Sequence, residues 1–132
     1  MIFAGRMLQD NEARLISPRL LAHLGDAVFH LFEREREILS AASVADLHRK
    51  TVRRACAANQ ALLLDIIVGR LKESEAEIVR RARNIKSPGQ RKAGQDAYRK
   101  STAFEALIGY LYLTDRSRLA EILNWTTGQE AD

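Results

Sequence analysis

Apolar residues recur at helical spacing from the first third of the chain onward. Leu20, Leu21, Leu24, Val28, Leu31 and Phe32 mark one stripe. Ser17 followed by Pro18 supplies an N-cap and a proline at the first helical position, so the pattern predicts a helix from 18 to about 38. Ser43 followed by Asp46 predicts a second start, with Val44, Leu47 and Val52 turned inward. The most apolar stretch, Leu62 to Val68, ends near Gly69 and reads as a buried helix. Ser74-Glu75-Ala76-Glu77 is a capping-box pattern for a short helix ending near Asn84. An irregular segment from Lys86 to Gly94 follows, broken by Pro88 and two glycines. Asp96 is the expected cap of a helix carrying Phe104, Leu107, Ile108 and Leu111, and Ser117 opens a last one with Leu119, Ile122 and Leu123. Residues 1–16 show no pattern and are expected to be an arm, and 126–132 a tail. No segment alternates with period two. The expectation is an all-α helical bundle in one domain over residues 17–125.

Composition supports this picture. A chain of 132 residues has room for one domain of ordinary size, and 46% apolar residues can fill its core. Aromatics are only 6%, so the core must be mostly Leu, Ile, Val and Ala. Cys56 is the only cysteine, which excludes an internal disulfide and a Cys-rich zinc site. No apolar run approaches the roughly 18–20 residues of a membrane span. Arg6, Asp10 and Glu12 interrupt the start where a leader would be apolar, so a soluble, cytoplasmic protein is expected. Charge adds a direction. The formal net charge is +4, but Arg80 to Lys100 carries eight basic residues against Asp96 alone, net +7. Such a segment is either a solvated surface or the footprint of a polyanion site.

Two acids have the wrong neighbours. Asp26 lies in Leu24-Gly25-Asp26-Ala27-Val28-Phe29, and Glu105 in Ala103-Phe104-Glu105-Ala106-Leu107-Ile108. An ionised carboxylate in an apolar helix is costly unless a positive group meets it. Gly25 and Gly109 are also out of place, each costing about 1 kcal/mol against alanine inside a helix. Glycines there point to close helix approach, which would bring Asp26 and Glu105 into one pocket. Two readings stay open on spacing alone. Each acid could pair with an arginine, or the two could share a hard cation such as Mg²⁺ or Mn²⁺, suited to phosphodiester hydrolysis beside a basic segment. His23 and His30 are two turns apart on one helix, but no further zinc ligands accompany them. His48 adjoins Arg49 and Lys50, where phosphate contact and a solvated face are the alternatives.

The motifs carry a resemblance. Leu24-Gly25-Asp26-Ala27-Val28 resembles the signature of the ribonuclease III catalytic domain, and Phe104-Glu105-Ala106-Leu107-Ile108-Gly109 its second acidic motif. Asp46-Leu47-His48-Arg49-Lys50, Arg83-Asn84-Ile85-Lys86-Ser87 and Tyr98-Arg99-Lys100-Ser101-Thr102-Ala103-Phe104-Glu105 are similar to patterns of the short Mini-ribonuclease III branch, over roughly residues 18–124. The resemblance implies a homodimeric, Mg²⁺-dependent endonuclease that cuts double-stranded RNA and matures the ends of 23S ribosomal RNA precursor, with Mn²⁺ a possible substitute. A ribosomal protein is a further candidate partner, and no membrane is involved. Asp26 and Glu105 would be the catalytic, metal-holding pair. His48, Arg49, Lys50, Arg83, Asn84, Lys86, Ser87, Arg91, Lys92, Arg99 and Lys100 would contact RNA. Phe29 and Phe32 are the expected contributors to the dimer. The chain departs from full-length ribonuclease III at two positions, where Ala22 and Thr102 stand in place of acids. The competing reading is an inactive RNA- or ribosome-binding scaffold of the same fold, which would have no reason to keep two acids in apolar helices.

Overall fold

The computed structural model describes residues 5–85 and 92–128, and these are helical without strands. The helices are α1 (Asp10–Arg14), α2 (Pro18–Glu37), α3 (Val44–Ala55), α4 (Ala57–Ile67), α5 (Glu73–Arg83), α6 (Lys92–Thr114) and α7 (Arg116–Trp125). A 3₁₀ turn, Val68–Arg70, joins α4 to α5. No helix among the described residues is long and apolar enough to cross a membrane.

Helix α6 is the axis. Ala103, Phe104 and the run Ala106–Leu111 are all buried, so its second half is apolar on every side. A helix apolar all round must be surrounded, and α1, α2, α4, α5 and α7 all pack against it. Phe29 of α2 meets Phe104 edge to face at 5.2 Å between ring centres. Leu21, Leu64, Ile67, Ile78, Leu107, Ile108 and Ile122 complete the centre.

Local chemistry sets several helix ends. Ser17 Oγ accepts from Arg19 N with Pro18 at N1, and Ser43 Oγ accepts from Asp46 N, as expected. Other ends differ. Helix α5 begins at Glu73, and Glu75 closes its first turn by accepting from Lys72 N at 2.8 Å. Helix α6 begins at Lys92, so Asp96 lies within it rather than capping it. Asp115, not Ser117, caps α7 by accepting from Arg118 N. The first sixteen residues contain a helix that no apolar pattern announces. Polar pairing makes it: Gln9 N donates to Glu12, Arg14 pairs with Asp10, and Leu8 N reaches Leu113 O on α6 at 2.8 Å.

Two inward faces are rotated from expectation. On α3, Thr51 is buried and Leu47 half-buried, while Val44 and Val52 are 86% and 45% exposed. Helix α3 packs mainly on α2 and α4, so a narrow face is covered. On α4, Leu63, Leu64 and Ile67 are buried, but Leu62 and Ile66 point to solvent. Phe29 is wholly inside the protomer, so it is core and not dimer surface; Phe32 is half-buried.

Candidate active site

The crossing of α2 and α6 builds the site. A Cβ on Gly25 would overlap the backbone carbonyl oxygen of Glu105, and one on Gly109 that of Leu21. The two backbones therefore touch, which only glycine permits. Asp26 follows Gly25 and Glu105 lies one turn before Gly109, so the contact carries both carboxylates to the same place.

That place is an open cleft of about 370 Å³, lined by Asp26 and Glu105 together with Arg19, His23, Tyr98 and Ser101. Ala22 and Thr102 line it too. Both are short side chains that add no carboxylate to the cleft. His30 Nε2 lies 3.3 Å from Asp26 Oδ1, one turn along α2. Among the described residues no arginine or lysine forms an ion pair with Asp26 or Glu105.

The electrostatics are those of two like charges held together. Glu105 has its pKa pushed up from 4.5 to about 8, first by burial, then by a hydrogen bond to Asp26 and the repulsion of that charge; a Gln60 hydrogen bond opposes the rise. Near neutral pH and without a cation, Glu105 keeps its proton. An all-oxygen pair that resists full ionisation suits a small hard cation, whose charge would relieve the repulsion and release that proton. The residues therefore fit a divalent metal with few protein ligands. No cluster of three or more His, Cys, Asp or Glu suited to a metal occurs among the described residues.

The basic residues divide into two groups. Arg83, Asn84 and Arg99 line one shallow pocket of about 290 Å³ with Arg80 and Asp96. The Nε of Arg99 is buried there without a hydrogen-bond partner among the described residues. Acids engage members of both groups: Arg80 pairs with Glu73 at 2.9 Å and Arg83 with Asp96 at 3.9 Å, while Arg49 pairs with Asp46 at 2.7 Å, Lys50 with Asp46 and Glu37, and Lys100 with Asp65 and Asp96. His48 is exposed on α3. Lys86, Ser87 and Arg91 lie outside the described residues, as does the side chain of Lys92.

Two residues at the site carry no charge and are missed by a search for charged groups. Gln60 and Ser101 are buried behind Glu105. Their signal in the sequence is faint: Gln60 stands two residues before the apolar run of α4, and Ser101 precedes Glu105 by one helical turn.

The model of the ribonuclease III domain matches residues 19–116, a span that contains both acids and the glycine crossing. The chain is 40% identical over 108 residues to the Mini-ribonuclease 3 of Synechocystis sp., covering 82% of this chain and 76% of that one. It is 44% identical over 111 residues to the Mini-ribonuclease 3 of Symbiobacterium thermophilum, covering 82% and 85%. The chain belongs to the ribonuclease III family, in its Mini-ribonuclease 3 branch. A crystal structure of a Fusobacterium nucleatum protein superposes with a TM-score of 0.78 at 29% identity, over 89% of this chain and 96% of that one. As a ribonuclease III domain of the Mini-ribonuclease 3 kind, it is an endoribonuclease by class.

Proposed function

We propose that this ribonuclease cuts both strands of an RNA duplex with Asp26 and Glu105 as its catalytic, cation-holding pair, with Mg²⁺ as the resident ion and Mn²⁺ able to replace it. One observation supports this above the others: α2 and α6 are in backbone contact at Gly25 and Gly109, and that contact sets two carboxylates side by side, with the His30 imidazole 3.3 Å from Asp26 as their basic neighbour. A scaffold gains nothing from this repulsion. Asp26 and Glu105 would hold the ion. When bound, a divalent cation activates water and offsets charge developing on the phosphate. The chain's own part is to keep the two carboxylates at one cleft and to give up the proton on Glu105. The open cleft leaves room for a phosphate and water beside them.

The duplex would be held through its backbone, as A-form RNA is read by phosphate and shape. The pocket of Arg80, Arg83, Asn84 and Arg99 supports this, because it gathers three guanidinium side chains and an amide on one surface. Cutting two strands requires two clefts, hence a homodimer. Leu20, Leu24, Ala27 and Leu31 form a seam on α2 at spacings of four, three and four residues, with Leu20 64% and Leu31 48% exposed. That seam adjoins Asp26, so pairing along it would set two active sites into one groove. The substrate we assign is precursor 23S ribosomal RNA in the cytoplasm, by likeness to the Mini-ribonuclease 3 branch.

Incubation with a long RNA duplex, first with Mg²⁺ and then with EDTA, tests the reading. Fragmentation only with the metal is the expected result. Cleavage that survives EDTA, or none with either Mg²⁺ or Mn²⁺, overturns it.

A further inference from the structure

Gln60 is a polar side chain in the most apolar helix of the molecule, and it is 0% exposed. It reaches the cleft from behind. Its Nε2 donates to Glu105 Oε2 at 3.4 Å, and its Oε1 accepts from Ser101 Oγ at 2.7 Å. A leucine would serve α4–α6 packing without burying an amide, whose burial is costly unless its groups are met. Here both ends are met, and by residues of the cleft wall. The Glu105 carboxylate, which once ionised can only accept, fixes which way the amide faces, and the Ser101 hydroxyl adapts to it. Turned over, Gln60 would set its oxygen against a carboxylate oxygen, acceptor against acceptor.

We propose that Ser101 and Gln60 form a positioning clamp that holds Oε2 of Glu105 against the wall and leaves the other oxygen to face Asp26 and a cation in the cleft. This rests on the metal-site reading above. Neither residue is assigned contact with RNA or with the ion; both act through Glu105. A glutamate has three side-chain torsions, and ordering them before the cation arrives removes that entropy loss from binding. Hydrogen-bond partners that orient a ligating side chain typically carry 10–100-fold in metal affinity or activity.

The test is Mn²⁺ titration of the RNA-free protein, followed by paramagnetic resonance, with Gln60→Leu, Ser101→Ala and Asp26→Asn beside the parent chain. Duplex cleavage is measured in parallel. Gln60→Leu should weaken Mn²⁺ binding roughly 10–100-fold. At limiting metal its kcat should fall while KM for the duplex holds, and excess Mn²⁺ should recover most of the rate. Ser101→Ala should move the same quantities in the same direction by less. Parent-like Mn²⁺ binding in both variants overturns the clamp and leaves the metal site standing. If Gln60→Leu does not fold, Ser101→Ala alone decides, since it deletes one oxygen. A parent chain that binds no Mn²⁺, or an Asp26→Asn variant that binds it equally well, overturns the metal site and the clamp with it.

Discussion

Glu33 and Glu105 are both carboxylates drawn into the helical bundle, yet they are handled in opposite ways. Glu33 is 0% exposed and is met by two guanidinium groups, Arg36 at 2.7 Å and Arg54 at 3.2 Å. Arg54 also donates to Thr126 O, so the cluster ties α2 and α3 to the end of α7. Glu75 repeats the arrangement with Arg118, which grips both its oxygens. Glu105 is less deeply buried, but its neighbour is another acid. The fold therefore has the means to neutralise a buried carboxylate and does not apply them at the cleft. Burial with a paired cation marks a structural acid; burial against a like charge leaves Glu105 holding a proton, which the proposed cation would replace.

The largest effect should come from the cleft. Asp26→Asn or Glu105→Gln keeps shape but removes charge, and duplex cleavage should fall by at least about 10²-fold. Circular dichroism and RNA binding should remain close to the parent. Near-parent cleavage by a purified variant would erase the contrast. Glu33→Gln should do the reverse. It leaves two arginines facing a neutral amide, so unfolding in urea should show a loss of roughly 3 kcal/mol with kcat retained in the folded fraction. Gly25→Ala lies between these cases, because a single methyl would push apart the backbones that create the cleft. Overpacking of this kind costs about 1–3 kcal/mol, and more where backbone is struck. Stability and cleavage should fall together, and a stable, inactive Gly25→Ala protein would separate helix contact from carboxylate placement.

The smallest predicted effect has an unusual sign. The folded pKa of Glu105 is raised, so the folded state holds a proton that the unfolded chain releases near pH 4.5. The penalty for ionising Glu105 is absent below about pH 4.5. It grows as pH rises toward 8 and is complete above that value. Glu105→Gln removes it, so the metal-free variant should be more stable than the parent at pH 8 by about 2 kcal/mol, after discounting for solvent at the cleft mouth. Thermal melts in EDTA at pH 4.5 and pH 8 measure this. A variant less stable than the parent at pH 8 would place Glu105 with Glu33 among the structural acids.

How much of this was legible beforehand depended on the kind of signal. The helix from Pro18, its Ser17 cap and the core stripe of α6 follow from local pattern, because capping and periodicity are local physics. The misplaced glycines and acids also stood out, and they led to the cleft. The inner faces of α3 and α4 did not, since apolar residues at Val44, Val52, Leu62 and Ile66 carry no record of which neighbours will cover them. Helix α1 was hidden because ion pairs and a backbone bond to α6 hold it, rather than an apolar stripe. Gln60 and Ser101 were hidden because uncharged side chains reveal a role only through the partner they meet.

Calorimetric titration of Mg²⁺ or Mn²⁺ into the RNA-free protein, in buffers of different ionisation enthalpy, tests the central claim most directly. At pH 7 a cation that binds between Asp26 and Glu105 must displace the proton on Glu105, so nearly one proton should leave per ion bound. That release should shrink toward zero by about pH 9, while affinity rises between pH 6 and 8. Asp26→Asn and Glu105→Gln should abolish both the binding and the release. Binding that is independent of pH and releases no proton, or that persists unchanged in the two variants, would contradict the account.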